Sequence, residues 1–461
     1  MLKKLYVSLL SALLCLSVVA EPIESQLNGN QNGSDVKIDE NGDVFVSPLW
    51  YHISSEGTAE VIDNDSHEKL ESVVIPSKIR IAGRVYPVTS IGRKAFVYQF
   101  EIKSVEIPLS VTSIGDNAFY DCDGLTNIEI PSSVTSIGNG AFAHCRRLTN
   151  IEIPSSVTSI GNGAFMECRG LTNIEIPSSV TSIGNYVFAD CHDLTSIEIP
   201  SNMTSIGICA FCNCRRLKSI EIPSSVTSIE NSAFSGCSGL INVALDNPVY
   251  SSVDGILYDK NKTELISASG RKGEVKIPTS VTSIGDYAFY GCGGLTSIEI
   301  PSSVTSIGKC VFKECSGLTS IKIPSSVTSI EKDAFSGCSE LKSIEIPSSV
   351  TSIENGAFSG CRGLKSIEIP SGVTSIEKSA FCGCIGLTCI KIPSSVTSIE
   401  EGSFKGCSGL TKINIPSSVT SIGNSAFSGC RNLEIVIDNS EKNVKVKGAA
   451  FDGCKSVKFL K

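Results

Sequence analysis

A unit of 23 residues recurs from about Phe96 to near the end of the chain, and this period decides what the chain can fold into. One copy reads AFYGCGGLTSIEIPSSVTSIGKC, from Ala288 to Cys310. A phenylalanine marks each copy: Phe96, Phe119, Phe142, Phe165, Phe188, Phe211 and Phe234, then Phe289, Phe312, Phe335, Phe358, Phe381, Phe404, Phe427 and Phe451. So short a unit cannot bury its apolar face alone. Units stacked on one another can, and the result is a solenoid that grows by adding coils. The 461 residues therefore count coils more than domains.

Within one copy the apolar positions are Phe289, Cys292, Leu295, Ile298, Ile300, Val304 and Ile307. The spacing of three from Phe289 to Cys292 predicts a single short helical turn. The spacing of two from Ile298 to Ile300 predicts a strand with Glu299 pointing outward, closed by Pro301. The Ser-Ser-Val-Thr-Ser-Ile segment then predicts a turn and a second short extended segment. The fold class expected is an α/β-type repeat solenoid with 23-residue coils, a parallel β-sheet on one face, and short helical turns and second extended segments elsewhere.

Twenty cysteines would ordinarily suggest a disulfide framework, but the spacing argues otherwise. Fourteen of them follow the recurring phenylalanine by three residues, from Cys122 to Cys454. A cysteine in phase with the core reads as a small buried hydrophobe. Side chains stacked in parallel, one coil apart, are also poorly aimed for bridging. Cys209, Cys212, Cys310, Cys382 and Cys389 fall out of phase and are the better candidates for bridges or exposed thiols.

The organisation along the chain follows from where the repeat starts, breaks and fades. Residues 1–20 carry Lys3 and Lys4, an apolar stretch from Leu5 to Val19 and a small residue at Ala20, which reads as a cleaved signal peptide. No later apolar run reaches the ~20 residues that a membrane-spanning helix needs. Residues 21–35 are a polar leader, and 36–87 alternate like strands and read as a β-rich N-terminal cap. The solenoid runs over 88–241 and 279–433. Between the halves, 242–278 reads as a β-hairpin insert, and 434–461, which gain lysines and lose the Ile-Pro turn, read as a C-terminal cap.

A search for chemistry finds a scaffold and no catalytic constellation. The four histidines are His52, His67, His144 and His192, and the last two adjoin the core cysteines Cys145 and Cys191 at variable positions. A nucleophile and its base need a fixed, mutual geometry, so these are not read as pairs. The Cys209–Cys214 segment, CAFCNC, has two thiols at a metal-like spacing but no second cluster to complete a site. No phosphate-binding glycine loop, zinc-protease helix or nucleophile elbow occurs. The net charge of −8 argues against a nucleic-acid partner. No enzyme activity and no cofactor are expected. Sequons stand at Asn32, Asn64, Asn202 and Asn261.

The most suggestive exposed feature is the outward strand position. Glu106, Glu129, Glu152, Glu175, Glu198 and Glu221 occupy it in six successive coils. In a parallel sheet they would stand in one column about 4.8 Å apart, an arrangement like charges oppose. After the insert the column becomes Lys276, Glu299, Lys322, Glu345, Glu368, Lys391 and Asn414. The six glutamates are the candidate binding face, for a basic partner segment or for divalent cations.

The unit Leu-x-x-Ile-x-Ile-Pro-x-x-Val-x-x-Ile-Gly-x-x-Ala-Phe-x-x-Cys, as in LTNIEIPSSVTSIGNGAFAHC from Leu125 to Cys145, resembles the BspA-like leucine-rich repeats, also called the Treponema pallidum class. The resemblance covers roughly Val85 to Cys454, and the NPVYSSVDGILYDKNKTELI insert shares it. It implies a secreted or surface-displayed protein of bacteria or some protists that binds extracellular proteins or cell-surface macromolecules in adhesion. The alternative expectation is an envelope-associated spacer without a specific ligand.

Overall fold

The computed structural model describes residues 36–63 and 70–461; the expected signal peptide, the leader and His67 lie outside these. Two ladders of short parallel strands run along the repeats. In one, Asn127–Glu129 pairs with Asn150–Glu152, residue for residue at a separation of 23. In the other, Ser136–Ile137 pairs with both Ser113–Ile114 and Ser159–Ile160. The Pro-Ser-Ser-Val segment joins them: Val134 N donates to Pro131 O at 3.0 Å, closing a tight turn. The second serine then donates to the coil before, as Ser133 Oγ does to Val111 O at 2.6 Å. Its hydroxyl satisfies a carbonyl at the turn, which explains why the turn is polar inside an otherwise apolar coil.

The Phe-to-Cys segment is not the helical turn expected. Cys122 N donates to Phe119 O at 3.3 Å and Tyr120 N to Asn117 O at 3.1 Å, but the amides between them leave the coil. Phe119 N reaches Ala141 O at 2.7 Å and Asp121 N reaches Ala143 O at 2.8 Å, both in the next coil. Asn117 and Asp121 accordingly adopt left-handed φ values of 55° and 58°. Alternate amides bonding within and between coils give a chain of turns, whereas a helix would keep every amide to itself. Among the described residues the helical element is one 3-10 turn, Glu441–Asn443.

The core is built in columns. Phe119 lies 5.1 Å from Phe96 and 5.2 Å from Phe142, ring on ring with planes 7° and 5° apart. Each in-phase cysteine is more than a filler. Cys145 Sγ donates to Phe119 O at 3.1 Å, and the same bond recurs along the chain, as from Cys338 to Phe312 O at 3.0 Å. Each such carbonyl thereby accepts from the amide of its own coil and from the thiol of the next. All nineteen described cysteines are free, and burial pushes Cys122 and Cys384 from the ordinary 9.0 up to about 12.

At the N-terminal end Val36–Ile38, Val44–Val46, Leu49–Ile53 and Ala59–Ile62 form an antiparallel meander. Ala59–Ile62 then pairs in parallel with Arg84–Ile91, handing the chain to the solenoid. In the insert, Tyr250–Val253 and Ile256–Asp259 form a hairpin, and a third strand, Glu264–Ser267, pairs antiparallel with Ile256–Asp259 and parallel with Ser283–Ile284. The insert thus contains the expected hairpin and is joined to one ladder by its third strand. Asn247, fully buried, donates to Pro223 O and Val226 O and accepts from the amides of Val249 and Tyr250, at 2.8–3.0 Å. At the other end Ser456–Phe459 extends the ladder through Glu434–Ile437.

The interior divides at the insert. One apolar cluster runs from Leu49 to Leu257 and a second from Ile256 to Ala450. Ser269 stands between them in the place a thiol would take, its hydroxyl donating to Phe234 O.

Candidate functional site

The strand alternation turns each glutamate of the column outward. Ile128 and Ile130 are buried to 3% and 5% exposure, while Glu129 between them is exposed. Parallel pairing without a register shift then sets Glu129 opposite Glu152 and Glu175 opposite Glu198. The ladder begins where Val74 opposes Glu106 and ends where Glu221 opposes Asn242. Asn127 and Asn150, at the start of their strands, form a second outward column beside the carboxylates. Among the described residues none of the six glutamates has an ion-pair or side-chain hydrogen-bond partner.

Beyond the insert the same column neutralises itself. Lys276 opposes Glu299, with Nζ 3.2 Å from the carboxylate, and Lys322 opposes Glu345 at 3.3 Å. Glu368 opposes Lys391. Two halves built on one template therefore present different fields: an unpaired anionic strip, then an internally compensated one. Like charges on adjacent strands repel, and salt weakens that repulsion over a Debye length of about 8 Å.

The other residues singled out in the sequence do not converge. His144 turns outward, its Nδ1 3.5 Å from Glu167 and its ring 4.9 Å from Tyr120, while the Cys145 thiol points inward to a carbonyl. His192 meets Asp190 at 3.5 Å. Within Cys209–Cys214 the Cys209 and Cys212 thiols do come together as a pair, Cys212 Sγ also donating to Ser232 O, while Cys214 Sγ turns inward to Phe188 O. No group of three or more histidine, cysteine, aspartate or glutamate side chains among the described residues could hold a metal ion. The carboxylates of the column stand side by side and do not close around a point, so the structure lends the cation expectation no support. Also among the described residues, no helix is long and apolar enough to cross a membrane. The thiol-to-carbonyl ladder was not legible from spacing, which distinguishes a small buried side chain but not a donor.

The coil geometry has counterparts among known proteins. A family model described as BspA type leucine rich repeat region, in six copies, matches residues 89–214, 158–272, 267–354 and 330–458, which together span most of the chain. A leucine rich cell surface protein from Faecalibacterium prausnitzii is similar in structure at 32% identity, covering 88% of this chain and 96% of that one, with a TM-score of 0.62. A leucine-rich repeat protein from Eubacterium ventriosum is similar at 26% identity, covering 83% and 93%, with a TM-score of 0.54. The pneumococcal vaccine antigen PcpA shares the fold at 20% identity, covering 92% and 98%, with a TM-score of 0.52. No curated protein matches the chain. Coil length, buried positions and matched span agree, and the chain belongs to the family of BspA-type leucine-rich repeat proteins.

Proposed function

We propose that this chain is a non-enzymatic recognition protein, exported and displayed or released outside the cell, whose N-terminal half engages a basic segment of a partner protein. The observation that carries the reading is the contrast within one column. Six outward glutamates are left without partners before the insert, whereas lysines pair with glutamates after it. A lysine- or arginine-rich segment laid along the strip would relieve the repulsion and gain a contact at each coil, so that weak contacts add along one rigid surface. The surface role described for the Faecalibacterium prausnitzii relative supports the export half of the reading.

The test replaces Glu152, Glu175 and Glu198 by Gln together and measures binding of a lysine-rich peptide, and of extracellular-matrix proteins, across a salt series. The expected result is loss of affinity with a shallower salt dependence. Unchanged affinity and slope would sink the proposal. Deleting whole coils separates recognition from a spacer role: binding lost with Phe142–Phe188 coils supports recognition, and a smooth dependence on length supports a spacer.

A further inference from the structure

The insert changes the surface as well as the interior. In an ordinary coil the turn after the core cysteine precedes the glutamate-bearing strand and is stacked on its neighbours. The layer supplied by the insert is shortened here. Residues 268–271 stand in for the Phe-x-x-Cys turn, closed by Arg271 N to Ala268 O but with an alanine for the ring, and Cys292 Sγ donates to Ala268 O where other coils offer a phenylalanine carbonyl. Gly270 has φ +75°, and a Cβ there would collide with the Ser238 carbonyl, so the truncated layer is pressed tightly against the coil before it. On either side the turn positions are small: Gly236 and Ser238 before, Gly291, Gly293 and Gly294 after. A recess results, a cleft of about 530 Å³ floored by glycine and serine. A second hollow of about 410 Å³ shares Glu314 and Ser316 with it and continues along the solenoid to Arg362.

The cleft is basic in an acidic chain. Arg215, Arg271 and Lys272 line it, Arg362 lines its continuation, and Glu314 is the one carboxylate in either lining. Three arginines at equivalent turns are engaged, Arg146 with Asp121, Arg169 with Glu167 and Arg216 with Asp193, at 3.3, 2.9 and 3.2 Å, whereas Arg147 and Arg431 are not. Arg215, Arg271, Lys272 and Arg362 form no ion pair with any described residue. Arg271 is held by one bond, Nη1 to Asp254 O at 2.6 Å, while its Nε is buried with no acceptor. That Nε faces the protein, so the donors the cleft offers an anion are the Arg215 guanidinium, the rest of the Arg271 fork and the Lys272 ammonium. Lys272 is placed by packing, since a Cβ on Gly294 would sit 2.7 Å from its Cγ, which leaves the ammonium at the rim.

We infer that this cleft binds a linear acidic saccharide, its sulfate or carboxylate groups held by Arg215, Arg271 and Lys272 and its chain running along the glycine and serine floor toward Arg362. Guanidinium groups match the paired oxygens of sulfate and carboxylate. The form of the lining favours a saccharide over an acidic peptide. Arginine clusters also read acidic peptide motifs, but the side chains between the acids then need pockets of their own, and the cleft offers hydroxyls, bare backbone and the single ring of Tyr290. This site is independent of the glutamate column and asks for the opposite charge.

The experiment measures binding of a heparin octasaccharide and a hyaluronan octasaccharide to the full chain by calorimetry over a salt series, with polyglutamate as competitor. Arg215→Glu and Lys272→Glu change exposed side chains, and Arg271→Lys keeps the charge while removing the fork. Lys458→Glu is the remote control with the same charge change. Circular dichroism and the melting temperature check that each variant folds. The expected result is binding of one or both saccharides, weakened at least about tenfold by the Arg215→Glu/Lys272→Glu pair and not by the control. Binding of heparin alone identifies sulfate as the recognised group, and binding of both identifies carboxylate as sufficient. The inference is overturned if neither saccharide binds, if binding ignores the pair of substitutions, or if polyglutamate displaces the saccharides at equal charge concentration.

Discussion

Replacing Phe358 by Ala should unfold half of this protein and spare the other half. Phe358 is fully buried, with the rings of Phe335 and Phe381 at 5.4 and 5.5 Å and planes 3° and 6° away. Removing a buried phenylalanine costs about 3–5 kcal/mol through lost transfer energy and the cavity left behind. Two stacked neighbours put this site toward the upper end, since each aromatic pair adds about 0.5–1.5 kcal/mol. In a stack where each layer touches only its neighbours, that loss stays within the cooperative unit that contains it. The aromatic column is interrupted between Phe234 and Phe289, and the interior divides at the same place into two clusters. Urea unfolding followed by two probes resolves the halves. Trp50, packed 5.4 Å from Phe45, reports the N-terminal region by fluorescence, and far-UV circular dichroism reports both halves. The Phe358→Ala variant should show an early dichroism transition, displaced by about 4 kcal/mol, with the Trp50 transition in place. A common shift of both probes, or a loss below about 1.5 kcal/mol, would refute the idea that the insert separates two units.

Two further predictions follow from the buried polar groups. Asn247→Leu takes the side-chain partner from the amides of Val249 and Tyr250 and from the Val226 carbonyl, while Pro223 O keeps the Val226 amide, and should cost about 3 kcal/mol in equilibrium denaturation. The thiol ladder should make the fold sensitive to alkali: burial raises Cys122 and Cys384 to about 12 and Cys292 to about 11, so the folded state holds protons that the unfolded chain gives up near 9.0. That stability is complete below about pH 9 and drains as the pH climbs toward 12, which dichroism under reducing conditions will follow. At pH 8 the exposed Cys389 should alkylate in the native state and the buried in-phase cysteines, from Cys122 to Cys430, should not.

Much of the fold was legible because side-chain periods report directly on which face is buried. Ile128, Glu129 and Ile130 show this: a spacing of two specifies in, out and in, and the strand obeys it. The register of the glutamates followed from an invariant 23-residue step, and the pairing of Glu129 with Glu152 bears that out. The turn between phenylalanine and cysteine was misread for a physical reason. A spacing of three is common to a helical turn and a β-turn, and what decides between them is the bond each amide makes to the next coil. His144 and Glu167 adopt left-handed φ values of 63° and 57° at these turns, which their side chains do not advertise. The basic cleft was hidden for a related reason. Arg215 and Lys272 are 57 residues apart, and they meet only because Ala268 and Ser269 form a layer shorter than the ones around it.

The near-identity of successive coils carries a consequence for how such a chain can change. A ring of Phe335 finds the same environment on Phe312 as on Phe358, at 5.3 and 5.4 Å. Gain or loss of a whole coil by slippage between tandem copies would therefore leave every junction intact and alter the rod by one ~4.8 Å step. The insert is the exception, because the bonds of Asn247 to Pro223 and Val226 are not repeated in the 23-residue coils among the described residues. It acts as a fixed origin on an otherwise unmarked scale. Copies can accumulate on either side of it, so the length of the acidic strip and the distance from cleft to C-terminal end can evolve independently.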